Sequence, residues 1–224
     1  MQKEIRENTF YKQYYAQIKN TETELLSQIK KQLDRDTEKS GVNLVEHIAS
    51  RIKSSESTIE KLELAGYEPT EENAIRVLSD VIGIRLIVHF MGDIYTIRNL
   101  LVNSGQFTVV KEKDYIIHAK PTGYRGYHII VETNFDGFKI RAEIQLRTIA
   151  MDCWASLEHE IRYKKGIRHT DLINYELKKC ADDLLSADIA MEQIWSMVKE
   201  QESDSSALED MFIDSMVALQ NVSL

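Results

Sequence analysis

With 224 residues, 43% of them hydrophobic, the chain can bury a sizeable core and still carry helical additions. Its 36 acidic side chains outnumber 28 basic ones, and the formal net charge of -8 excludes a non-specific, whole-surface grip on nucleic acid or anionic lipid. The charged opening MQKEIRENTFYKQYYAQIKN lacks a signal-peptide core and no later run approaches the roughly 18 apolar residues of a membrane span, so no membrane partner and the cytoplasm are expected.

Residues 3–39 contain no Gly or Pro and space Ile18, Leu25, Leu26, Ile29 and Leu33 as one amphipathic helix, which Ser40-Gly41 breaks. A second helix is predicted over 43–65, ending at Gly66 before Pro69, and a short one over ENAIRVLSD. VIGIRLIVHF (81–90) is β-branched and reads as a strand; DIYTIRNLLVNSG follows as a helix closed by Gly105. Three strand candidates come next, FTVVKEKDYIIHA, YHIIVETNF and FKIRAEIQL, the last two joined by the hairpin signal Asp136-Gly137. From Thr148 onward the pattern is helical again, with ELKKCADDLLSADIAMEQIWSMVKEQ and ALEDMFIDSMVALQNV separated by the polar ESDSS. This order predicts an α+β fold: a mixed β-sheet of about four to five strands flanked by helices, with one face open. The long C-terminal helices exceed what such a sheet needs for cover, which points to oligomerisation or to intramolecular packing.

Four segments put polar groups where a bland domain would not. In ASRIKSSESTIEK, Lys53, Ser57 and Lys61 share one face of the predicted helix, the lysines about 12 Å apart along its axis at 1.5 Å per residue. They suit successive phosphates of a nucleotide, or make up a solvated basic face; Arg51 lies about 200° from Lys53 on an ideal helix. In SDVIGIRL, Asp80 stands at a strand entrance and Arg85 within the strand; the carboxylate suits Mg²⁺, or caps the preceding turn. KPTGYRGYH is a turn followed by Tyr124, Tyr127 and His128, fit for stacking on a nucleobase and meeting phosphate, or for packing on the core edge. In RAEIQLRT, Ala142, Ile144 and Leu146 form an apolar face while Arg141, Glu143, Gln145 and Arg147 point the other way, to water or into a site. Glu143 would then be a second carboxylate near Asp80 for a metal or for proton removal. Cys153 and Cys180 lack CxxC spacing and read as plain reduced residues, and His159-Glu160 does not continue as HExxH.

Together RIKSSESTIEK, SDVIGIR, KPTGYRGYH and AEIQLRTIAMDCWASLEHEIRYK resemble the synthetase domain of the RelA/SpoT family, specifically the single-domain small alarmone synthetases, in the right order over roughly residues 44–165. With no HD-type hydrolase signature before them and no long regulatory region after, a stand-alone synthetase is expected. The resemblance implies a nucleotidyltransferase-like synthetase domain over 41–168, an N-terminal helix over 1–40 and C-terminal oligomerisation helices over 169–224. It implies transfer of the β,γ-diphosphate of ATP to the ribose 3′-hydroxyl of GDP or GTP, giving ppGpp or pppGpp and AMP. By the same resemblance Asp80 is a Mg²⁺ ligand, and Glu143 a second ligand that also activates the 3′-hydroxyl or only coordinates. Arg51, Lys53, Lys61 and Arg85 surround the ATP phosphates, Tyr124 stacks on guanine, and His128 and Gln145 face the acceptor nucleotide. Thr122 and Gly126 stand where many members carry Asn and Ser. A homotetramer is implied, with an alarmone or RNA as a regulator in some members. The rival readings are toxic relatives that act on adenine nucleotides or the 3′ end of tRNA, and a catalytically silent nucleotide or RNA sensor.

Overall fold

The computed structural model describes residues 10–162 and 170–221, with side chains to residue 201. The predicted helix positions 3–9, the EHEIRYKK motif's last residues 163–165, and the side chains of ALEDMFIDSMVALQNV lie outside the described set.

A 3₁₀ turn, Lys12–Tyr14, leads into α1 (Tyr15–Ser40), whose Ile18, Leu25, Ile29 and Leu33 are buried along one stripe. The helix ends as the sequence requires, on Gly41 with φ of 72°, its amide bonded to the Thr37 carbonyl. Next come β1 (Val45–Ile52), α2 (Ser55–Leu64), α3 (Glu71–Val77), β2 (Ile82–Val88) and α4 (Met91–Val102). Then β3 (Thr108–Asp114), β4 (Tyr127–Phe135) and β5 (Phe138–Thr148) run in succession, followed by α5 (Ile149–Arg162) and α6 (Thr170–Asn221).

The helix predicted over 43–65 is therefore two elements, β1 and α2. Val45 and Ile48 are three apart, a helical spacing, yet both face the core because β1 bulges between Val45 and His47, so that Val45 pairs with Val88 and Ile48 with Leu86. Ser54 then starts α2 by accepting a bond from the Ser57 amide. The two predicted C-terminal helices are one continuous backbone helix: ESDSS contains polar residues of modest helix propensity but no Gly or Pro to stop it.

The five strands form one mixed sheet in the order β1-β2-β5-β4-β3, antiparallel except for the parallel pair β2/β5. Ile82, Ile84, Leu86, Ile129, Val131, Ala142, Ile144 and Leu146 point to one face. Helices α1 and α4 cover it with apolar stripes of their own, Leu25 and Ile29 from the first and Ile94, Ile97 and Leu101 from the second. The register then lines up the other face. One rung across the sheet reads Ala49, Arg85, Gln145, His128, Lys113, and the next reads Arg51, Gly83, Glu143, Ile130, Lys111. No helix among the described residues is long and apolar enough to cross a membrane.

Candidate active site

These two rungs floor a pair of adjoining clefts. One, of ≈ 220 Å³, is bounded by Arg51, Asp80, Gly83, Arg85, Glu143 and Gln145. The other, of ≈ 490 Å³, runs on past Lys53, Ser57, Tyr124 and Arg147 to Ser156 and His159 of α5. Gly83 keeps the rung low: a Cβ there would stand 3.7 Å from Arg51 Cγ, so the Arg51 side chain lies along its neighbour strand.

At the strand entrance, Asp80 Oδ2 accepts from Lys53 Nζ at 3.1 Å and from Lys61 Nζ at 2.8 Å. Burial alone would raise the Asp80 carboxyl, but the two ammonium groups outweigh it and hold it below its ordinary value. Its Oδ1 is buried with no hydrogen-bond partner among the described residues. An ionised carboxylate with one free buried oxygen, across a cleft from a second carboxylate, fits a hard cation, because Mg²⁺ is held by one or two carboxylates together with substrate phosphates. Among the described residues no three His, Cys, Asp or Glu side chains gather as a closed metal site.

At the centre, Glu143 accepts from His128 Nδ1 at 3.1 Å and from Gln145 Nε2 at 2.7 Å. Burial works to raise the Glu143 carboxyl; the bonds from His128 and Gln145 and the nearby Lys113 override it and bring it down to about 2. Burial pushes the His128 imidazole down, and Arg147 and Lys120 push it the same way, against Glu143. The ring is thus neutral at neutral pH, and because a carboxylate only accepts, Nδ1 carries the proton and Nε2 accepts the Tyr124 hydroxyl at 2.6 Å. Tyr124, His128 and Glu143 form one ordered chain of hydrogen bonds.

A second network orients the floor. Arg147 Nη2 donates to Gln145 Oε1 at 2.8 Å, and Arg147 and Arg85 both donate to Asp152 Oδ1 at 2.9 Å. The Nε atoms of both arginines are buried without an acceptor among the described residues, which leaves donors for an anion. Tyr124 lies within 5.1 Å of the Arg147 guanidinium and 4.7 Å of Lys120 Nζ, measured to the ring centroid. Gly126 accepts this crowding because it has no side chain: a Cβ would stand 3.0 Å from Tyr124 Oη and 3.4 Å from Arg147 Cγ. Thr122 uses its hydroxyl to accept the Tyr124 amide at 3.4 Å.

The nine residues to which the resemblance gives roles, Arg51, Lys53, Lys61, Asp80, Arg85, Tyr124, His128, Glu143 and Gln145, gather around these clefts. Arg51 lines both clefts from strand β1, not from the far side of a helix, and Lys53 stands between β1 and α2. Tyr127, grouped with Tyr124 and His128 in the sequence, turns to the opposite face and donates to Glu112 at 2.8 Å. Arg141, on the polar face of β5, pairs with Glu132 outside the clefts. Sequence reasoning misses Lys113, Lys120 and Asp152, and gives Arg147 a place on the polar face of RAEIQLRT but no role. Alternation in KEKD could have found Lys113.

Residues 50–168 match the family described as the region found in RelA / SpoT proteins. GTP pyrophosphokinase YwaC of Bacillus subtilis is 44% identical over 147 residues, 63% of this chain and 70% of that protein. The crystal structure of small alarmone synthetase 2 from Bacillus subtilis superposes with a TM-score of 0.68 at 36% identity, over 83% of this chain and 98% of that one. Small alarmone synthetase 1 from the same organism, bound to its product pppGpp, gives 0.68 at 26% identity over 83% and 94%. The chain belongs to the RelA/SpoT family, and its α+β architecture is that of the small alarmone synthetases.

Proposed function

We propose that this chain is a GTP pyrophosphokinase, a (p)ppGpp synthetase of stringent-response signalling. It moves the β,γ-diphosphate of ATP onto the ribose 3′-hydroxyl of GDP or GTP and releases AMP. The observation that carries this reading is the meeting of two ionised carboxylates, Asp80 and Glu143, with Arg51, Lys53, Lys61 and Arg85 over one open sheet face. Transfer of a phosphoryl-type group needs positioning and charge neutralisation, with little covalent work for the protein, and this is a site of cations and carboxylates.

Arg51, Lys53, Lys61 and Arg85 neutralise the ATP phosphates. Lys53 and Lys61 are held ready by Asp80 and exchange it for phosphate oxygens as the nucleotide arrives. Asp80 and Glu143 would hold Mg²⁺, which supplies Lewis-acid polarisation of the phosphates. Glu143 is ionised, and its two oxygens are oriented by bonds from His128 and Gln145, an arrangement suited to holding a cation, so Glu143 serves first as a ligand. Tyr124 stacks on guanine, and His128, Gln145, Lys113 and Lys120 face the acceptor. The synthetase unit spans 41–168, preceded by a helix over 1–40. Residues 169–224 assemble a homotetramer, for which α6 offers exposed Leu172, Tyr175, Met191, Ile194 and Met197.

Incubation of the protein with Mg²⁺, ATP and GDP, GTP, AMP or tRNA as acceptor, with the products resolved by anion exchange, tests the reading. The expected result is AMP with ppGpp or pppGpp; product only on adenine nucleotides or tRNA would replace the acceptor, and intact ATP in every mixture would refute the enzyme.

A further inference from the structure

Helix α6 presses on the loop that carries Tyr124. Gly123 has φ of 96°, and a Cβ on it would stand 2.8 Å from Ala181 Cβ and 3.2 Å from Lys178 Cα. No side chain fits between loop and helix at that point. Two residues on, the largely buried Arg125 donates from Nη2 to Asp182 Oδ1 at 3.3 Å and from Nη1 to the Ile116 carbonyl at 2.9 Å. Tyr124 therefore sits between two consecutive attachments, one steric and one ionic, and both belong to the same turn of α6.

The helix that holds the loop is itself held. Leu177 accepts the Trp154 indole N–H at 2.8 Å, and Asp188 Oδ2 accepts the Thr148 hydroxyl at 2.6 Å at the end of β5. Glu192 accepts the Gly92 amide at 3.1 Å at the start of α4, and Trp195 stacks on Phe90 with centroids 5.2 Å apart. These contacts fall along one stripe of α6, which is clamped to the sheet while the loop leans on its first part.

We propose that Ala181 and Asp182 are positioning residues of the acceptor site: α6 sets where the 119–126 loop puts the Tyr124 ring, and so governs binding of the acceptor and not of ATP. This rests on the reading of Tyr124 as the guanine-stacking residue. Asp182→Lys turns the Arg125 attachment into repulsion, Ala181→Leu pushes the loop off the helix, and Asp182→Glu keeps the carboxylate.

Steady-state kinetics with GDP and ATP varied in turn, and amide hydrogen exchange over 119–126, are measured on the full-length protein and the three variants. Asp182→Lys and Ala181→Leu raise the KM for GDP about tenfold, leave the KM for ATP within about twofold, and speed exchange in the loop; Asp182→Glu does none of these. Unchanged loop exchange in both disruptive variants, or equal increases in the two KM values, overturns the proposal. If the wild-type protein makes no guanosine product, the functional reading fails, and the exchange data alone decide whether α6 fixes the loop.

Discussion

At Asp80, two ammonium groups and one oxygen without a partner among the described residues meet on a single side chain. Asp80→Asn removes the charge that both orders the lysines and suits the cation, and activity is expected to fall by about a hundredfold or more while the fold is kept. Lys61, nearly half exposed, is more dispensable to structure. Lys61→Ala is expected to raise the KM for ATP about tenfold, the loss of roughly 1.4 kcal/mol from one phosphate contact, with no change in melting temperature. The spacing of the two lysines predicts one helix face, yet Lys53 precedes the Ser54 cap of α2, and it is the carboxylate they share, not helix periodicity, that brings them together. It lies 27 residues from Lys53 along the chain, and only the pairing of β1 with β2 brings the strand entrance beside α2. The roles of Arg147 and Asp152 are hidden for a related reason: each residue is ordinary by itself, and its role follows from a bond across the junction of β5 and α5.

Strict alternation makes β5 readable, because period two sorts its side chains without ambiguity and its neighbours β2 and β4 then fix what each faces. β1 is not readable, since its bulge gives a strand the apolar spacing of a helix. β3 shows what alternation does on both faces at once. Lys111 and Lys113 turn to the site, while Glu112 turns to α4 and takes two bonds of 2.6 Å from Arg98. The Arg98 bonds, against the opposing effect of burial, hold the Glu112 carboxyl below its ordinary 4.5. A carboxyl lowered in the folded state stabilises above the unfolded value and loses that contribution as pH falls through the folded one. Thermal unfolding followed by circular dichroism should therefore show stability falling with acid below pH 4.5, with a shallower fall in Glu112→Gln. At neutral pH that variant is expected to lose about 1–2 kcal/mol. An identical acid slope in the two proteins would show that Glu112 carries none of the acid dependence.

For the whole molecule, one sheet has two unlike faces: a dry face packed against α1 and α4, and a polar face that floors the two clefts. The fold class is visible in the order of elements, whereas the fastening of α6 to the loop that carries Tyr124 is not, because Gly123 and Ala181 are ordinary residues until the fold brings them together. The outer stripe of α6 leads to a prediction on assembly. Light scattering should give a mass near four times 25.9 kDa, and Ile194→Glu should lower it; a wild-type monomer would contradict the assembly. Pyrophosphate transfer over the polar face of β5 stands or falls on a comparison of wild type with Glu143→Gln in Mg²⁺, ATP and GDP, following AMP and ppGpp together. Equal amounts of both are expected from the wild type, with a loss of about a hundredfold or more in a variant that still folds. Undiminished ppGpp synthesis by Glu143→Gln would contradict transfer at this site.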